Sequence, residues 1–361
     1  MVDVEMLVFD CGQGDTILLR LPEEKWVLID CHLPRGPVRE RFFTLVQELG
    51  IQRLDVLCLT HPHEDHYHGM LEVVNYFTSD GRSLGLYCDA GITPKEMLDL
   101  LRAKNRPKLY VAEYSRLQER VSQLINEGRV KYFAGNQDSL PVLHNGSVSL
   151  QPIGPRPEVV REMNRSYLSR TGSVPTLRED LNLLSLILVF RAQGEANTLN
   201  KLFTGDTDGP GLNRALEILR DRDGGNIRRF HVVKVPHHAS GDSHRTSTLS
   251  DPAHRDELAL AVVCVGSDYD VLPDRAVLSD FLKKGWKVLI TTKRIANFKP
   301  NVHRPLELAG RKTAPSYQTS SNDLRIRWNE NTGLAWEPTK AELVADELPH
   351  YQSIRDSKMK F

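Results

Sequence analysis

Within 361 residues, the stretch 54–71 reads LDVLCLTHPHEDHYHGML and gathers His61, His63, Asp65, His66 and His68 directly after an apolar run. Neutral imidazole and carboxylate are ligands for zinc, and they also serve manganese or iron. In an extended segment, side chains two apart point the same way, so His61 and His63 can share one cation. Asp65 and His66, where the chain turns toward a helix, can face a second cation beside it. Two adjacent cations need a group lying between them. The sequence offers Asp206, which follows the strand-like KLF and the turn Thr204-Gly205.

A third cluster, VVKVPHHASGDSH, places His237 and His238 just past another strand-like run, followed by Ser240, Asp242 and His244. One of these histidines can bind metal or move protons, because imidazole titrates near neutral pH. Asp30, at the end of KWVLID, is expected to orient a ligand histidine rather than to bind metal itself. Asp15 is open to that role or to stabilising its own glycine turn.

These residues need strands to present them. VEMLVFDCG and DTILLRLP flank the Gly12–Asp15 turn as a hairpin, and KWVLIDCH adds a strand. Helical spacing is predicted at VRERFFTLVQELG, MLEVVNYF, KEMLDLLRAK and RLQERVSQLIN. RVKYFAG and SVSLQPIG read as strands, while 155–180 is polar and is expected to be an irregular loop. NLLSLILVF and KLFTGD form a second hairpin. Further strands are expected at FHVVKVPHH, LALAVVCVG, WKVLITT and RIRW, with helices at GLNRALEILR and DRAVLSDFLKKG. This alternation predicts two sheets packed together and covered by outer helices.

Bulk properties are those of an ordinary soluble globular protein and do not choose a substrate. The 47 basic and 47 acidic residues cancel, so no global field favours nucleic acid. The N-terminus lacks a signal-peptide pattern, and no apolar stretch is long enough to span a membrane. Cys11, Cys31, Cys58, Cys88 and Cys264 are scattered without a CxxC pair, which suits buried reduced thiols and a cytoplasmic location.

Taken in order, FDCGQGDTILL, LID, THPHEDHYHG, FTGD and KVPHHAS resemble the metallo-β-lactamase superfamily, and within it the hydrolase domain of ComEC-type DNA-uptake proteins. The resemblance implies an α+β fold, an αββα four-layer sandwich of two mixed sheets flanked by helices. It implies one hydrolase domain over 1–337, with a helical insertion at about 93–127 and the polar loop at about 155–180, then a charged tail over 338–361. It also implies two divalent metal ions, zinc first and manganese as an alternative, held by His61, His63, Asp65, His66, Asp206 and His237. Asp65, His238 and His237 are the expected catalytic residues, a PHHAS histidine protonating the leaving group. The chain departs from the pattern at Leu272, where that subgroup has a histidine, and at Asn182 and Ser185, where many superfamily members carry a histidine ligand.

The expected activity is hydrolysis by metal-activated hydroxide, on a phosphodiester of single-stranded nucleic acid. Residues 281–330 hold eleven Lys or Arg against three acids, with Trp286, Phe298, Tyr317 and Trp328 interleaved as base-stacking candidates. Two alternatives stand beside this expectation. One is a metallohydrolase of a small ester, lactone or peptide; the other is a degenerate partner or sensor subunit in a multi-protein system such as a defence operon.

Overall fold

A computed structural model describes residues 3–12, 14–79, 81–91, 108–136, 141–168, 181–194, 198–244, 247–265, 272–291, 323–329, 331, 333–337 and 342–343. Two eight-stranded mixed sheets are packed together among these residues. In spatial order the first contains β15 (Gly333–Glu337), β14 (Leu324–Asn329), β1 (Asp3–Val8), β2 (Ile17–Leu21), β3 (Lys25–Ile29), β4 (Arg53–Cys58), β5 (Ser83–Asp89) and β6 (Lys131–Ala134). The second contains β16 (Glu342–Leu343), β13 (Lys287–Ile290), β12 (Arg255–Val263), β11 (Phe230–Lys234), β10 (Thr198–Phe203), β9 (Ile187–Gln193), β8 (Val148–Gly154) and β7 (Leu143–Asn145).

Side-chain alternation along the strands separates the layers. On β10, Leu199 and Phe203 join the core between the sheets, whereas Leu202 joins the apolar cluster on the outer face. β12 divides in the same way, with Leu260 and Val262 inward and Ala261 and Val263 outward. Helices α1 (Pro37–Glu48), α2 (Met70–Tyr76) and α3 (Lys108–Asn126) cover the first sheet through Phe42, Val46, Val73, Leu117 and Val121. Helix α4 (Pro157–Leu168) adds Val160 to the same cluster. The second sheet is covered by α5 (Gly209–Arg222) and α6 (Arg275–Lys283).

Helix α5 shows how sequence sets an element. The Asp208 carboxylate accepts from the Gly211 N–H at its start, Pro210 lies in the first turn, and Arg220 and Arg222 end it. Leu212, Ala215, Leu216 and Leu219 make the buried stripe. Each leucine stabilises the docked helix by about 2 kcal/mol.

The expected two-sheet sandwich is the observed architecture. Three local expectations differ. Residues 157–168, expected inside an irregular loop, form α4. Within the stretch expected as a tail, Glu342 and Leu343 pair with β13. Trp286 and Trp328 are core residues at 2% exposure each, so neither can stack on a base. The KEMLDLLRAK helix, residues 169–180, Phe298 and Tyr317 lie outside the described residues. All five cysteines are buried and free. No helix among the described residues is long and apolar enough to cross a membrane.

Candidate metal centre

The loops that leave β1, β3, β4, β10 and β11 meet at one end of the sandwich, beyond the carboxyl ends of the strands. Backbone bonds stitch them together. Asp15 N–H donates to Asp65 O at 3.1 Å, Cys31 N–H to His66 O at 2.8 Å and Leu186 N–H to Thr60 O at 2.9 Å. Two motif glycines allow this approach. A Cβ on Gly14 would stand 2.3 Å from Asp65 O. At Gly205, with φ +52°, it would stand 3.0 Å from Ser185 Cβ and 3.1 Å from Thr60 Cβ.

Three groups of possible ligand atoms result: Asp15, Asp30 and His66 form one, and the two donor sets that face the centre share Asp206. His61, His63 and Asp206 offer ligand atoms within 4.8 Å of one another, as do Asp65, His66, Asp206 and His238. Asp206 Oδ2 is 3.9 Å from His61 Nε2, 3.4 Å from His66 Nε2 and 3.5 Å from His238 Nε2. Asp65 Oδ2 lies 3.1 Å from His238 Nε2.

The hydrogen-bond network fixes the tautomers. Asp30 Oδ1 accepts from Thr60 N–H at 2.7 Å, and Oδ2 accepts from the Thr60 hydroxyl at 2.7 Å. With its hydrogen given to Asp30, the Thr60 hydroxyl oxygen accepts from His61 Nδ1 at 3.1 Å. His66 Nδ1 donates to Asp30 Oδ2 at 2.8 Å, and His238 Nδ1 to Cys264 O at 2.6 Å. In all three rings this places a hydrogen on Nδ1, so Nε2, which faces the centre, is the nitrogen that a cation would take.

Charge is concentrated in the same space. Burial works against the positive form of His66, but Asp206, Asp30 and Asp65 outweigh it and hold its imidazole well above its usual pKa. His238 is likewise raised despite burial, through Asp206, Asp65 and Asp15. His61 is pushed well below the usual range by burial and by its histidine neighbours. Burial opposes ionisation of Asp65 and Asp206, yet the facing histidines, joined at Asp206 by Lys234, keep both acids ionised.

The residues present fit divalent cations. His66 Nε2 is buried and makes no hydrogen bond while facing two carboxylates, and imidazole nitrogen with carboxylate oxygen is zinc-type donor chemistry.

His61, His63, Asp65, His66 and Asp206 are brought together. His237 is not. It belongs to neither donor set, is only half-buried and meets the Ser243 hydroxyl through Nδ1 at 3.2 Å. A left-handed backbone at His237, His238 and Ala239 (φ 47°, 51° and 64°) turns His238 inward. His238, expected among the catalytic residues, thus stands with Asp65, His66 and Asp206 in a group that could hold a cation. It completes a four-donor set without the histidine missing at Leu272, which packs against the outer apolar cluster. His68 turns away to Glu113 at 3.1 Å and His244 to Asp280 at 2.8 Å. Ser185 accepts from Asp206 N–H at 3.1 Å.

Sequence reasoning passed over Lys234. Its ammonium, 1% exposed, lies 2.5 Å from Asp15 Oδ2 and 3.1 Å from Asp206 Oδ1, and donates to Gly205 O at 2.8 Å. The available signal was a single charge inside the apolar run VVKVP, since a buried ammonium requires anionic partners.

No curated protein matches the chain in sequence. Among solved structures it is similar to the metallo-beta-lactamase fold protein YhfI from Bacillus subtilis, at 11% identity over 82% of this chain and 98% of that one, with a TM-score of 0.41. It is similar to a diphosphatase from the PhnP family at 12% identity, over 64% and 73% of the two chains, with a TM-score of 0.34. For the Rm3 metallo-beta-lactamase the values are 14%, 75%, 89% and 0.33. Residues 9–142 match the family model of the metallo-beta-lactamase superfamily. That segment, the source of His61, His63, Asp65 and His66, thus resembles the metallo-β-lactamase superfamily, and the two mixed sheets with flanking helices match that superfamily's α+β sandwich fold.

Proposed function

We propose that the protein is a metal-dependent hydrolase with two adjacent cation sites, and that its substrate is a phosphodiester of single-stranded nucleic acid. The observation that carries the hydrolase reading is Asp206 Oδ2, which faces imidazoles of both donor sets. Divalent ions bound there would lower the pKa of water from about 15.7 to about 7 and polarise the electrophile. His61 and His63 would hold one ion, and Asp65, His66 and His238 the other, with Asp206 between them. Asp30 orients His66 directly and His61 through Thr60. His237, partly exposed and outside both sets, is left to relay protons between substrate and solvent. Burial lowers its pKa, so the resting imidazole is neutral and must first take up the proton that it gives to the leaving group.

Nucleic acid is favoured by the ComEC-like order of the motifs and by six Lys or Arg against one acid over 292–322. A second reading, a small phosphoester or ester, has its own observation. Three described basic residues of the 281–330 region are engaged locally: Arg325 and Arg327 with Glu5, and Lys284 with Asp280. Labelled single-stranded DNA, RNA and model esters, assayed with zinc or manganese, separate the readings. Cleavage of single-stranded substrate that disappears in Asp65→Ala and Asp206→Ala supports the nuclease. Hydrolysis of model esters alone would move the assignment to a small substrate, and equal cleavage by both variants would trace the activity to a contaminant.

A further inference from the structure

Lys234 divides the two oxygens of Asp206. The ammonium has three hydrogens and three acceptors: Gly205 O at 2.8 Å, Asp206 Oδ1 at 3.1 Å and Asp15 Oδ2 at 2.5 Å. Asp206 Oδ1 is thereby claimed from behind, and Oδ2 alone faces the imidazoles. Asp15, from the glycine turn between β1 and β2, anchors the ammonium on its other side.

We propose that Lys234 is a metal-selectivity residue: by holding Asp206 Oδ1 it limits the shared acid to one oxygen for cations and biases the centre toward zinc over manganese. The inference rests on the metal-centre reading above and adds to it. Zinc is satisfied by few nitrogen and oxygen donors, commonly four in tetrahedral array. Manganese favours six-coordinate, oxygen-rich surroundings. The chain offers three donors in one set and four in the other. A carboxylate free to turn could add its second oxygen and raise that count, and the ammonium withholds it. Lys234 does not touch the reacting atoms; it acts through Asp206 as a positioning residue.

Neutralising Asp15 would be a merely structural role, so the test removes the pair without changing net charge. Purified wild type and Lys234→Met/Asp15→Asn are dialysed against zinc and against manganese, bound metal is measured by mass spectrometry, and melting curves confirm folding. The inference predicts that the zinc-to-manganese affinity ratio falls at least tenfold in the double variant. An unchanged ratio in a protein that binds zinc overturns this inference alone. Wild type that takes up neither metal overturns the metal centre and this inference with it. Should the variant not fold, cobalt-loaded wild type decides. Strong visible absorption from four- or five-coordinate cobalt supports the inference, and the weak band of six-coordinate cobalt overturns it.

Discussion

Asp30→Asn tests whether the hydrogen-bond network, and not only the ligands, builds the site. The change is isosteric, and asparagine tolerates the left-handed backbone of Asp30, φ 56°. Either orientation of the amide nevertheless frustrates one side of the carboxylate's contacts. If the amide nitrogen takes the place of Oδ1, it faces the Thr60 N–H, which lies 2.7 Å away, and two donors meet in a buried space. If it takes the place of Oδ2, it points at the Thr60 hydroxyl and at His66 Nδ1, 2.8 Å away. His66 must then accept through Nδ1 and carry its hydrogen on Nε2, the atom that faces Asp65 and Asp206. The lone pair required for a cation is lost. Loss of such an orienting partner typically costs 10- to 100-fold in metal affinity, about 1.4 to 2.7 kcal/mol. A buried unsatisfied group adds a loss of about 1–3 kcal/mol in the stability of the metal-free protein. Competition against a chromophoric chelator gives the first quantity and denaturant unfolding the second. Wild-type affinity for both ions in a folded Asp30→Asn protein would refute the tautomer argument.

Zinc affinity should rise with pH, because Asp206 and its neighbouring acids hold protons on His66 and His238 in the metal-free protein and a cation must displace them. Calorimetry at about pH 6 and about pH 8 should show tighter binding and fewer protons released at the higher value; equal affinities would contradict it. His237→Ala should retain both metals while turnover falls by roughly 10²- to 10⁴-fold, the scale of proton-transfer catalysis, whereas lost metal would return His237 to the ligand set. Lys201 is fully buried between the sheets without a hydrogen bond, and burial lowers its pKa from 10.5 to about 7. The unfolded chain holds that proton more tightly, so the penalty is complete below about pH 7 and is relieved as pH rises toward the unfolded value. Lys201→Met should therefore stabilise the neutral-pH protein by roughly 2–4 kcal/mol in urea unfolding, and a loss of stability would show that the amine has a role that burial does not reveal.

Much of the architecture was legible because apolar runs and hairpin turns are local signals. The β1–β2 and β9–β10 hairpins and helix α5 carry their own registers, stripes and caps. The first donor cluster was legible for the same reason: its spacing is written within six residues, His61 to His66. What escaped depends on long-range contact or backbone sign. His237 and His238 are equivalent in sequence, and only the left-handed turn decides which ring enters. The Asp15–Lys234–Asp206 contact joins three distant segments. Helix α4 was obscured by its polar composition, although Pro157 and Val160 supply a first-turn residue and a buried face. Trp286 and Trp328 look alike in sequence as base-stacking or core residues until burial is known.

Zinc-edge anomalous diffraction from zinc-loaded crystals asks the central question outright. Two peaks are predicted on either side of Asp206 Oδ2, one ligated by His61 and His63 and the other by Asp65, His66 and His238. A map without a peak at Asp206, or with zinc held only elsewhere on the chain, would contradict the account.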